Sequence, residues 1–147
     1  MPELPDVEAY RAALEVRAVG HTLGGVRVRG VFLLRTVEPP LPAFAGLRLT
    51  GTRRIGKRLV LAFEESDPRY LVLHLMLAGR LGWAKPGAGL PGKRGQAAFD
   101  FDDGTLLLTE AGSRRMASLH AVVGERALAS FDPGGVEPVT ASPDAFA

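Results

Sequence analysis

The sequence predicts a mainly β fold: a β-sandwich of about eight strands with one or two flanking α-helices. Three observations predict it. Short apolar runs recur between residues 22 and 123, separated by turn signals rich in Gly, Pro and Asp. Only the opening stretch carries apolar residues at helical rather than alternating spacing. Asp103-Gly104 lies between two apolar runs, a strong short-range hairpin signal. With 147 residues, of which 46% are hydrophobic and 23% charged, the chain is long and apolar enough to bury one core.

The first element is a helix over residues 5–19. Pro5 suits a first helical turn, and Asp6 and Glu8 place negative charge near the positive end of the helix dipole. Val7, Tyr10, Leu14 and Ala18 form one apolar stripe, and Gly20 ends the helix. Residues 22–34 follow as a partly alternating strand, with Val26, Val28 and Phe32 on one side. Strands over 47–54, 57–64 and 70–77 come next, with Gly56 as a hairpin turn or bulge between the first two. Residues 85–95, rich in Gly and Pro, form a loop. Strands over 97–101 and 105–109 flank the Asp103-Gly104 hairpin, 115–123 is another strand, and 125–130 is a short turn or helix. From residue 132 to 147 the chain has three prolines and a Gly-Gly pair, the composition of a connector. This gives a domain over 1–131 and a connector over 132–147.

Composition excludes several classes. No apolar run approaches the roughly 18 residues that span a bilayer. The N-terminus lacks the basic-then-apolar order of a secretory signal. Without cysteine there is neither a disulfide framework nor a cysteine zinc site. Net charge is only +2, yet fifteen arginines stand against three lysines. Arg53, Arg54, Lys57 and Arg58 form one basic knot, and Arg114 and Arg115 another. Each reads equally as a phosphate footprint or as a solvated surface.

The opening octapeptide, Met1-Pro2-Glu3-Leu4-Pro5-Asp6-Val7-Glu8, carries the chemistry. With Met1 removed, Pro2 presents a secondary α-amine, and such amines titrate at roughly 7.7–8.0, so much of it is unprotonated at neutral pH. That nitrogen can attack an electrophilic carbon, and its adduct with an aldehyde-level carbon is an iminium ion that withdraws electrons. Glu3 is placed to move protons, and Asp6, one turn on, to orient the amine or Glu3. The plain alternative, a proline and acids decorating a helix start, fits Pro5, Asp6 and Glu8 better, and on composition alone it is favoured for Pro2 and Glu3 as well.

The octapeptide resembles the N-terminal signature of the formamidopyrimidine-DNA glycosylase and endonuclease VIII family, which usually has Glu where this chain has Asp6. Later segments agree in order. Arg54-Ile55-Gly56-Lys57-Arg58-Leu59 is similar to the family's Arg-Gly-Lys hairpin, and His74-Leu75-Met76-Leu77-Ala78-Gly79 to its His-Leu-x-Met-x-Gly strand. Arg114-Arg115-Met116 falls where many members have Arg-Arg-Phe. Gly135-Val136-Glu137-Pro138 resembles the Gly-Pro-Glu-Pro segment before the second domain.

The resemblance implies a base-excision-repair glycosylase with AP lyase activity, acting on damaged double-stranded DNA as a cytoplasmic, nucleoid-associated monomer. It makes Pro2 the nucleophile at C1′, Glu3 the proton-transfer acid, and Lys57 and His74 phosphate contacts, with Arg54 also facing DNA. Leu77, Arg114 and Met116 match the three side chains that fill the stack after base flipping. Leu77 and Met116 differ from the usual Met and Phe; packing in the core is the competing role for both, and a structural role is the competing one for His74. Members continue into a helix–two-turns–helix domain and often a zinc finger, so no metal or other cofactor is expected in this chain, and the chain alone is expected to be weakly active or inactive. Two other readings remain at this point: a non-catalytic DNA-binding relative, and a small-molecule tautomerase with Pro2 as base.

Overall fold

The computed structural model describes residues 4–112 and 115–132. In chain order the elements are α1 (Leu4–Arg17), β1 (Leu23–Val28), a 3-10 turn (Leu41–Phe44), β2 (Leu49–Ile55), β3 (Arg58–Phe63), β4 (Arg69–His74), β5 (Gly79–Ala84), β6 (Gly95–Phe101), β7 (Gly104–Glu110), β8 (Ser118–Val123) and α2 (Glu125–Ala129). The strands form two antiparallel four-stranded sheets, ordered β1-β6-β7-β5 and β2-β3-β4-β8. The expected sandwich is therefore present.

Alternation explains the layers. Leu59, Leu61 and Phe63 of β3 and Leu71 and Leu73 of β4 face inward, and meet Ala97, Phe99, Phe101, Leu106 and Leu108 of the other sheet in the main core. The intervening residues, Val60, Ala62, Tyr70 and Val72, face the other way. They are buried too, in a smaller core with Ile55 and with Leu128 of α2. The middle strands of this sheet are thus apolar on both faces, which is why they read as continuous runs.

Val7, Leu14 and Ala18 of the helical stripe are buried in the main core, with Tyr10 packed against it. Gly20 takes φ 94°, a value that favours glycine, as the chain leaves the helix. Two expectations need correction, and one strand is additional to those expected. Residues 22–34 are not one strand: Arg29 and Gly30 both donate to the Gln96 carbonyl, the chain turns, and Phe32 does not share a buried face with Val26. The hairpin loop is Asp102-Asp103, one residue early, because Gly104 pairs with Phe101 inside β7. A Cβ on Gly104 would lie 2.4 Å from the Trp83 ring, so glycine serves packing there and not the turn. β5 falls in a stretch assigned to no element.

Candidate nucleic-acid interface

One row of cross-strand partners defines an end of the β2-β3-β4-β8 sheet: Ile55 faces Arg58, Arg58 faces His74, and His74 faces Ser118. Lys57 occupies the two-residue hairpin loop beside this row, after Gly56 with φ 60°. Arg54 precedes the row on β2. Leu77 lies three residues past the end of β4, and Met116 two residues before β8. The register thus gathers positions separated by up to 62 residues at one end of one sheet.

Helix α1 reaches the same end. Glu8 pairs with Arg54 at 3.5 Å. One turn on, Arg11 donates to the Thr52 hydroxyl at 3.3 Å, and that hydroxyl donates to Glu15 at 2.6 Å. The Gly20 amide finally reaches the Leu49 carbonyl at 2.8 Å. Moving forward along α1 is moving backward along β2, so the helix begins beside the Lys57 hairpin. Asp6 is exposed on its first turn. Arg11, followed by Arg54, holds the Glu8 carboxyl below the usual carboxylate range against the opposing effect of burial.

The basic knot divides by strand parity. Arg53 points to the α2 side, where it grips Glu125 with two hydrogen bonds of 3.0 and 2.8 Å and lies 5.2 Å over the Tyr70 ring. The Tyr70 hydroxyl donates to the same carboxylate at 2.5 Å, and burial with that bond raises its pKa to about 12. Arg58 stacks 5.5 Å over Phe131. Those two arginines brace α2. Arg54 turns to the helix face and also donates to the Gly56 carbonyl at 3.0 Å, which stiffens the hairpin.

His74 is half-buried, and desolvation lowers its pKa below the ordinary 6.5, assisted by the charges of Arg58 and Lys57. Its imidazole is therefore neutral at pH 7 and offers one N–H. The influence of Lys57 on it also shows that the hairpin and the β4 end share one electrostatic neighbourhood.

The apolar positions are presented on constrained backbone. Leu77 is 62% exposed and Met116 39% exposed, so neither is a core residue. Met76 takes φ 59°, a strained value for a side chain of its size. A Cβ on Gly79 would meet the Leu75 carbonyl oxygen at 2.4 Å, so the β4–β5 turn closes only on glycine and holds Leu77 outward. Met116 is fixed by Glu110, which is 2% exposed at the end of β7 and accepts the Met116 and Ala117 amides at 2.8 and 2.9 Å. Sequence reasoning missed Glu110; an acid closing the apolar run Thr105–Thr109 was the available signal. It also missed Arg35, whose guanidinium donates to the carbonyls of Phe32, Met116 and Ala117 at 2.5, 3.5 and 3.4 Å.

Pro2, Glu3, Arg114 and residues 133–147 lie outside the described residues. Among the described residues, one cluster offers three possible metal ligands. His21 sits between Asp102 at 2.6 Å and Asp103 at 3.3 Å, near the far end of α1 from the Lys57 hairpin. No described helix is long and apolar enough to cross a membrane.

A sheet end that combines cations with exposed apolar tips has the chemical make-up used to recognise nucleic acids. Residues 1–119 match the formamidopyrimidine-DNA glycosylase N-terminal domain, and the chain belongs to that family. The formamidopyrimidine-DNA glycosylase of Acidovorax sp. (strain JS42) is 34% identical over 148 residues, covering 95% of this chain and 50% of its own length. That of Mycolicibacterium paratuberculosis is 39% identical over 111 residues, covering 73% and 38%. Wild-type Lactococcus lactis Fpg, solved with N7-benzyl-Fapy-dG-containing DNA, superposes with a TM-score of 0.78 at 27% identity, over 88% of this chain and 47% of that one. The same protein with abasic-site-containing DNA gives 0.76 at 26%, with the same coverage. The chain spans about half the length of the relatives it matches, or less.

Proposed function

We propose that this chain is the catalytic half of a base-excision-repair DNA glycosylase with AP lyase activity, which removes oxidised bases through a covalent intermediate on Pro2. Family membership supports the reaction class. The observation that carries the site is the antiparallel seating of α1 on β2, which starts the helix beside Lys57 and His74.

The reading requires Met1 to be removed, since an acylated Pro2 nitrogen has no lone pair to give. The free secondary amine attacks C1′ of the damaged nucleotide. The glycosidic bond breaks, the base departs with the bonding electrons, and the proton shed by the Pro2 nitrogen passes to the departing base. Glu3 protonates the sugar ring oxygen, the ring opens, and the C1′–N bond becomes an iminium. Loss of a proton from C2′ then expels the 3′ phosphate and cuts the strand; hydrolysis of the iminium restores Pro2. Lys57 supplies charge to a phosphate near the lesion, and neutral His74 donates one hydrogen bond. Leu77, Arg114 and Met116 occupy the space left by the extruded nucleotide. No cofactor takes part in these steps.

Borohydride reduction tests this. With protein in excess over an abasic-site duplex, the reduced adduct is expected on the N-terminal peptide, with Met1 absent from its mass. An adduct mapped to a lysine, or one that retains Met1, would overturn the proposal.

A further inference from the structure

Beyond β8 the sheet has a further edge. The Leu119 amide donates to the Leu33 carbonyl at 2.8 Å, the Arg35 amide donates to the Leu119 carbonyl at 2.9 Å, and Leu34 bridges Leu119 in parallel. Because this strip runs parallel to β8, it enters the sheet at the end where β8 starts, beside Ser118, His74 and Met116. The residues at that entry are Val31 and Phe32, which are 86% and 72% exposed. Their exposure is not fraying: Leu33 is buried in the main core, Leu34 packs against it, and Arg35 ties the Phe32 carbonyl to those of Met116 and Ala117.

Cations share a cleft with this aromatic. Arg29, Lys93 and Arg115 line a cleft of about 260 Å³ whose wall includes Phe32. Arg115 is steadied on the Lys93 carbonyl at 3.0 Å, yet its Nη1 is buried without a hydrogen-bond partner. The acid lining the cleft, Glu110, is already engaged by the Met116 and Ala117 amides. An exposed ring in a cleft lined by three cations and one carboxylate suits a base face with its flanking phosphates, since aromatic stacking plus basic side chains is how single bases are held. The apolar centre of a protein interface, by contrast, is depleted of charge.

We infer that Phe32 is a further base-stacking residue, extending the Leu77–Met116 edge by one strand onto a nucleobase next to the gap left by base extrusion. The inference rests on the DNA reading above.

The test measures affinity of the chain at low salt for a duplex carrying a tetrahydrofuran abasic analogue and for the intact duplex. Phe32→Ala is expected to weaken binding to the abasic duplex by roughly five- to a hundredfold, with much less loss on the intact one. The slope of log K against log salt stays unchanged, because no phosphate contact is removed, and Phe32→Trp keeps the native affinity. Lys57→Ala, by contrast, lowers the salt slope by about one on both duplexes. If Phe32→Ala binds like the native chain while Lys57→Ala is weakened, the stacking role is wrong and the DNA reading stands. If Phe32→Trp falls with Phe32→Ala, stacking is likewise excluded. A native chain that binds neither duplex removes both.

Discussion

Glu110 shows how one side chain governs the presentation of another. Its buried carboxylate accepts two consecutive amides and so fixes the backbone from which Met116 projects. Glu110→Ala is expected to cost roughly 1–3 kcal/mol for each amide left without a partner. Urea denaturation checks this, and a loss below about 0.5 kcal/mol would remove the bracing role. Titration offers a second test. His74 and His120 both have pKa values held below 6.5, chiefly by burial. Below pH 6.5 the unfolded chain therefore binds more protons than the folded one, and stability falls as pH drops through that value. Replacing both imidazoles with Gln should flatten the decline between pH 6.5 and 5; an unchanged profile would mean other groups control it. Neither residue-scale relation was legible in the sequence. Lys57 and His74 stand out because their motifs are contiguous, whereas Glu110 and Arg35 act on backbone reached only through the fold.

At the scale of elements, the β4–β5 turn is where backbone chemistry matters most. Gly79 admits the Leu75 carbonyl where a Cβ would sit, and Met76 accepts a left-handed φ beside it. Gly79→Ala is expected to destabilise by at least about 1 kcal/mol and to weaken DNA binding by displacing Leu77, while Gly82→Ala, on the same strand with open space around it, should be near neutral. Thermal melts of the two variants decide it, and equal melting points would contradict the strain argument. The same stretch shows why β5 went unread: glycines at 79 and 82 and Arg80 between them break the alternation that marks a strand. The hairpin at Asp102-Asp103 was legible as a hairpin but not to the residue, because the glycine that signalled it is needed under Trp83. Residues 22–34 read as one strand because both their halves pair, though with different sheets.

For the molecule as a whole, two antiparallel sheets and one edge-docked helix bring together what lies far apart in the chain. The helix runs against β2, and the hairpin end, the β4 end and the start of β8 share one row. The sandwich was legible from the alternation of its strands; their order within each sheet was not, since pairing such as β4 with β8 leaves no local mark. The proposed reaction needs a free secondary amine at the chain start. Its most direct measurement is borohydride trapping on an abasic-site duplex by two forms of the same chain, one with Met1 removed and one with Met1 retained. A covalent adduct is expected from the first and none from the second, with equal thermal stability of the two. Equal trapping by both forms would contradict the role of Pro2.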